Sequence, residues 1–373
     1  MNGSIRVGSL LGIPFYVHPS WFLVLGLVTF DFGGYLASVL GLGGLLPWLL
    51  GLAGALLLFA SVLAHELGHS LVARQQGIAV NSITLFLFGG LASLDKESET
   101  PAEAFWIAIA GPAVSLTLFA LFTAMSLSAG IPSPALAIVR LLAYINLVLA
   151  LFNLIPGLPL DGGNILKSLV WKITGNPYKG IVFASRVGQF LGWIGISLGV
   201  LSILGLSSFG SFWTLLIGLF LLQNAGRSAQ SATIQEKLMG LKAEDAVIPN
   251  SPIVSADLSL REFVNNYVIG KEEWHKFLVT DEAGRLLGAI AIDDLRSIPT
   301  SNWPITPVRD LMKPIDAATI VPPDRALLEV IMLLEQGKFT QLPVVRDNGV
   351  VVGILEKASI LSLLEKRSQA YPA

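Results

Sequence analysis

Six apolar runs fill most of residues 19–226, at about 19–40, 46–73, 103–128, 135–156, 181–205 and 211–226. A helix that crosses a bilayer needs roughly 20 predominantly apolar residues. Five of the runs meet that length and the sixth is short. In hydrocarbon, each segment must satisfy its own backbone hydrogen bonds, which leaves helices as the fold for such runs. With 53% hydrophobic and 13% charged residues, the chain is too apolar for an ordinary soluble domain. The pattern changes near residue 228: of 24 Lys and Arg, all but nine lie beyond it. The expected organisation is a membrane domain over 1–228, a linker over 229–241 and a water-soluble tail over 242–373. The tail is itself divided at 303/304.

The nine basic residues of the membrane domain orient it. If the N-terminus is cytoplasmic, the inner loops receive Arg6, Arg74, Lys96, Lys167, Lys172, Lys179, Arg186 and Arg227, and only Arg140 falls near the outer side. Positive charge collects on the cytoplasmic side, so both termini and the tail are expected there. The start "MNGSIRVGSLLGIPFYVHPS" lacks the basic end, short apolar core and small-residue site of a cleaved signal peptide. The net charge of −2 gives no basic field for nucleic acid, and the absence of cysteine excludes thiolate metal sites and disulfides.

Ionisable groups inside a span are costly and functional by default. The second run contains "LAHELGHS", which is H-E-x-x-H. On a helix, His65 and His69 are four residues apart and share a face. Such a pair can grip one zinc ion, with Glu66 beside it as general base. A catalytic zinc site uses three protein ligands and keeps one position open. By elimination, the third donor is sought among acidic residues of the membrane domain. Asp161 is the best placed. It follows "NLIPGLP", where two prolines break the fourth run, and irregular backbone at membrane depth is tolerated only beside protein or a watery cavity. His65 lies nine residues before Arg74, so about 14 Å inside the membrane at the helical rise. A second irregular stretch, "NSITLFLFGGLASL" at 81–94, is too short to span and favours a β-hairpin.

The paired motifs "HELGH" and "FNLIPGLPLDGG", with "AGP" at 110–112, resemble the site-2 family of intramembrane zinc metalloproteases over the whole membrane domain. That resemblance implies one zinc ion on His65, His69 and Asp161, with Glu66 activating water. It implies hydrolysis of peptide bonds in or near transmembrane segments of membrane-protein substrates. Asn153 would hold substrate near the metal, and Phe88, Gly89 and Gly90 would form a strand edge to which an extended substrate adds. The fold class implied is a polytopic α-helical membrane domain with a short membrane-embedded β-hairpin, in a prokaryotic inner membrane or an organellar one.

The tail carries an internal repeat. "SPIVSADLSLREFV" (251–264) is similar to "ATIVPPDRALLEVI" (318–331), and "GAIAIDDL" (288–295) to "GILEKASI" (353–360). Each unit is too small for a full core, so the two should pack together. The pattern resembles a tandem pair of cystathionine-β-synthase (CBS) domains, over 242–303 and 304–373, a soluble α/β module. The resemblance implies ATP, ADP or AMP in the cleft, with Asp294 on the ribose, and pairing of tails into a homodimer. The competing class is a membrane transporter or channel gated by the tail, in which the histidines would be proton relays. Tightly bound stoichiometric zinc separates the two.

Overall fold

Five helices are long and apolar enough to cross a membrane: α1 (Ser20–Leu40), α2 (Leu46–Gln75), α3 (Pro101–Ser126), α4 (Ser133–Asn153) and α6 (Pro177–Ile203). They come from a computed structural model that describes residues 3–86, 89–128, 133–270 and 274–370. Between α4 and α6 lies a shorter helix, α5 (Asp161–Thr174). The sixth apolar run opens α7 (Phe212–Leu238). This helix does not stop where the apolar run ends but continues through most of the expected linker, because "NAGRSAQSATIQEKL" contains neither proline nor an interior glycine pair to break it. The chain divides into Met1–Thr233 and Ile234–Ala373.

Local sequence sets the helix ends. Pro47 stands in the first turn of α2, where its missing N–H costs nothing, and Gly77 with φ +80 follows the last turn. Thr100 and Glu103 cap α3 reciprocally, with Pro101 behind the cap. α4 ends at Asn153 because Pro156 cannot continue it. The outward surfaces carry large apolar side chains such as Leu23, Phe30, Leu121 and Phe190, as lipid requires.

The β-hairpin expected at 81–94 is part of a larger sheet. β1 (Ile5–Leu10) and β2 (Ile13–Val17) form an N-terminal hairpin, and β3 (Val80–Phe86) and β4 (Gly89–Leu94) form the second. The order is β1-β2-β3-β4, antiparallel within each hairpin and parallel between β2 and β3. Burial of Ile13, Val17, Ile83 and Leu85 ties the hairpins together. β4 ends the sheet and packs on α2.

The C-terminal unit repeats one design. β5 (Ile253–Ser255) runs parallel to β6 (Lys276–Thr280), which pairs antiparallel with β7 (Leu286–Ala291), and the short helix α8 (Leu260–Phe263) packs beside them. In the second half, α9 (Leu327–Gln336) precedes an antiparallel pair, β8 (Gln341–Val345) and β9 (Val351–Glu356), closed by α10 (Lys357–Ala370). Phe277 faces Ile290 in the first pair and Leu342 faces Leu355 in the second. Each half has its own core, around Leu260, Phe263 and Phe277, and around Leu327, Leu334 and Leu342. A third cluster, Leu278 and Ala289 with Ile354, joins the halves.

Candidate metal centre

His65 and His69 leave α2 on the same face, toward the start of α5. His65 Nε2 lies 3.0 Å from Asp161 Oδ2, His69 Nε2 3.2 Å from the same oxygen, and the two Nε2 atoms 3.3 Å apart. Among the described residues this trio is the group of His, Asp and Glu side chains able to share one metal ion. Zinc with ligand distances near 2.0–2.1 Å in a tetrahedron sets its ligands roughly 3.3 Å from one another. The triangle of donors therefore has the size zinc needs.

Asp161 reaches the histidines because of what precedes it. The chain turns back over "NLIPGLPLDGG" and α5 starts at Asp161 itself, with the carboxylate in the first turn, where the helix dipole favours an anion. Gly162 and Gly163 pack onto this turn. A Cβ at either would stand 2.2–2.4 Å from backbone atoms of residues 154–158, so glycine lets α5 begin this close to the loop.

Helix α3 supports the site from the other side. His69 Nδ1 bonds the carbonyl of Ile107 at 2.6 Å, and His65 Nδ1 meets Ser115 Oγ at 2.9 Å. Each imidazole thus has a partner for Nδ1 and turns Nε2 toward Asp161; the Ile107 carbonyl can only accept and so sets the His69 tautomer, while the Ser115 hydroxyl holds the orientation of His65. Pro112 inside α3 has no N–H for the Ala108 carbonyl, the neighbour of the Ile107 carbonyl. Gly111 lies between the two contacts. A Cβ there would fall 2.2 Å from His69 Nε2 and 2.6 Å from His65 Nε2. Glycine is what leaves room at the point where the donors converge.

Glu66 is half-buried next to the trio. Gly90 of β4 packs directly over it, since a Cβ at Gly90 would lie 2.3 Å from Glu66 Cγ. The end strand of the sheet is therefore seated on the carboxylate of the H-E-x-x-H motif. Gly89 has φ +134, and Phe88 lies outside the described residues. Asn153, at the end of α4, donates from Nδ2 to the carbonyl of Leu149. Among the described residues that intrahelical bond is its one side-chain partner, and it makes no direct bond to the trio. Asn146, two turns earlier, is buried and donates to Ser61 Oγ and the Leu142 carbonyl.

In the tail, Asp294 lines a cavity of about 500 Å³ between the halves, with Lys276, Lys313, Asp316, Thr319 and Gln341. Its carboxylate is already engaged. Oδ1 takes the Lys313 ammonium and Oδ2 the Ala291 N–H, which holds its pKa below the usual carboxylate range. In the second half the matching position, Ser359, donates to the Glu356 carbonyl.

Sequence reasoning did not single out Ile107, Gly111 or Ser115 as site residues. Gly111 and Ser115 fall at i+4 and i+8 from Ile107 inside an apolar span, and Ile107 contributes only its backbone carbonyl, which carries no side-chain signal. The spacing shows a shared face, but nothing in it names the helix that face meets.

A membrane bundle that gathers H-E-x-x-H and a distant aspartate into one zinc-sized triangle is the architecture of a membrane-embedded metalloprotease. The sequence matches peptidase family M50 over residues 53–133 and 128–195, and the CBS domain over 308–366. Protein sll0528 of Synechocystis, assigned as a zinc metalloprotease, is 60% identical over 98% of this chain and 96% of its own length. The zinc metalloprotease MJ0392 of Methanocaldococcus jannaschii is 30% identical over 99% of both chains. A solved site-2 protease from Methanocaldococcus jannaschii aligns with 31% identity over 61% of this chain and 95% of that one, with a TM-score of 0.44. The chain belongs to peptidase family M50, the site-2 proteases, and is an integral membrane metalloprotease with a C-terminal CBS module.

Proposed function

We propose that this enzyme cuts peptide bonds in or beside transmembrane segments of membrane-protein substrates. The observation that carries the reading is the triangle of His65, His69 and Asp161 set into apolar helices, with Glu66 alongside. A zinc ion on those three donors would supply a Lewis acid for the scissile carbonyl and an acidic water. Glu66 accepts the proton of the attacking water and returns it to the leaving amine. Ile107 and Ser115 keep both imidazoles aimed, and the apolar helices around them exclude bulk water.

A substrate helix hides its carbonyls and must open before attack. The free edge of β4 offers an opened segment backbone partners by strand addition, and the packing of Gly90 on Glu66 puts that edge beside the general base. Asn153 steadies the substrate backbone at the mouth of the α4–α5 loop. The distribution of Lys and Arg supports cytoplasmic termini, in a prokaryotic inner membrane or an organellar one.

In the tail, the cavity at Asp294 is the seat for an adenine nucleotide. Its two lysines suit phosphates, and the ribose must compete with Lys313 for the carboxylate. Nucleotide changes activity only if it binds two states of the enzyme with different affinity. Cleavage rates of the full-length enzyme that are identical with and without saturating ATP, ADP or AMP would reject that regulation.

The test of the main reading is a map of new protein termini in membranes from cells making wild type or Glu66→Gln. Termini within single spans that need Glu66 support it. A Glu66→Gln protein that still cleaves removes the assignment of Glu66, and a wild type without stoichiometric zinc removes the assignment of His65, His69 and Asp161 as its ligands.

A further inference from the structure

Two charges stand in the half of the membrane away from the metal site. The C-terminal end of α1 and the N-terminal end of α4 lie on the same side of the bilayer, because the helices between them alternate in direction. Asp31 lies nine residues from the end of α1, about 14 Å deep, and Arg140 lies seven residues into α4, about 11 Å deep. In the same halves of α2, α3 and α6 there is no Asp, Glu, Lys or Arg. Both side chains are exposed on the outside of the bundle. Among the described residues neither takes part in a hydrogen bond or an ion pair.

A charge facing hydrocarbon is costly, and such residues nearly always have a partner. Arginine can bend its long stem toward the headgroups, but an aspartate at this depth is too short to do so. The two groups have opposite sign and differ in depth by only a few ångströms at the helical rise. α1 and α4 both pack against α2 and touch one another, so the two helices are neighbours at the edge of the bundle. On α1 the outer face is Leu27, Asp31, Gly34 and Ser38, and on α4 it is Arg140, Tyr144 and Val148, all exposed at helical spacing.

We infer that this face binds a second copy of the chain, with Asp31 paired to the partner's Arg140. In a two-fold pair each contact occurs twice with the roles exchanged, so one complementary pair of residues satisfies all four charges. α1 and α4 run in opposite directions, so the facing helices are antiparallel. Gly34 then opposes the partner's Ala137, and a Cβ at Gly34 meets nothing within 4 Å in its own chain. Small residues at that point allow the backbones to approach closely. One turn toward the metal side, Leu27 opposes the partner's Tyr144. This interface is in the membrane and does not depend on the tail.

The chain has no cysteine, which makes the test direct. Full-length Leu27→Cys and Tyr144→Cys variants carrying different tags are produced together, and native membranes are treated with a thiol cross-linker. The expected product is a disubstituted dimer carrying both tags. Asp31→Asn or Arg140→Gln in both copies should reduce it at least tenfold, and the exchange Asp31→Arg with Arg140→Asp should restore it. Size measurement of wild type in nanodiscs should show two chains. No mixed-tag product, a product unaffected by Asp31→Asn and Arg140→Gln, or cross-linking only within one chain carrying both cysteines would each overturn the interface.

Discussion

Replacing Gly111 by alanine puts one methyl group where the metal donors meet. Its carbon would lie 2.2 Å from His69 Nε2, more than an ångström inside the 3.4 Å at which ordinary contact begins, and 2.6 Å from His65 Nε2. Something must move. Parting the helices would give up the close packing of Gly68 of α2 on the Ala110 carbonyl of α3, where a Cβ would stand at 2.9 Å. The remaining relief is rotation of the imidazoles away from Asp161, against the Ile107 and Ser115 bonds. Overpacking of a tight site costs about 1–3 kcal/mol, and disturbing the groups that orient metal ligands lowers affinity roughly 10–100-fold. The two figures agree, since 1.4 kcal/mol is about a factor of ten in an equilibrium constant. Purified Gly111→Ala should therefore lose zinc to a chelator that leaves wild type loaded, while remaining folded and membrane-inserted. Competition titration measures the affinity, and metal analysis after dialysis checks it. An alanine variant with wild-type zinc affinity would refute the view that α3 makes room for the ion.

Ser115→Ala removes the partner of His65 Nδ1 and should weaken zinc about 10-fold or more, with threonine at 115 recovering part of it; the same competition titration measures both. Gly89→Pro demands φ near −65° where the chain has +134, so it should impair cleavage of a membrane substrate while zinc content stays near one per chain. Asp294 has a folded-state pKa lowered by Lys313 and then by the Ala291 N–H. Its contribution to stability is present above the unfolded value, about 3.9, and disappears as pH falls through the folded value. Because Lys313 is largely exposed, the loss in Asp294→Asn at pH 7 should be about 1 kcal/mol or less. Thermal unfolding should show the difference beginning to shrink as pH falls below about 4 and continuing to shrink as pH falls through the lowered folded value.

Much of the membrane domain is written in the sequence because its signals are local. The apolar runs become α1 to α4 and α6 wherever they fold, since hydrocarbon leaves the backbone no other arrangement. The i, i+4 spacing of His65 and His69 puts them on one face, and Pro156 ends α4 before Asp161. The repeat in the tail likewise follows from matching strand and helix patterns. Local spacing has no means, however, of saying which faces meet. That Ile107 and Ser115 back the two histidines depends on how α3 packs on α2, some 40 to 50 residues away. That Gly90 rests on Glu66 depends on β4 ending a sheet whose other half comes from the N-terminus. His65 and Asp161, 96 positions apart, close into a 3.0 Å contact only once the helices have packed. The sequence by itself determined which residues could bind a metal and that they would lie in a membrane. Tertiary packing decided that their donors form one triangle of zinc size, because ligand geometry is a property of distances between helices and not of positions along one.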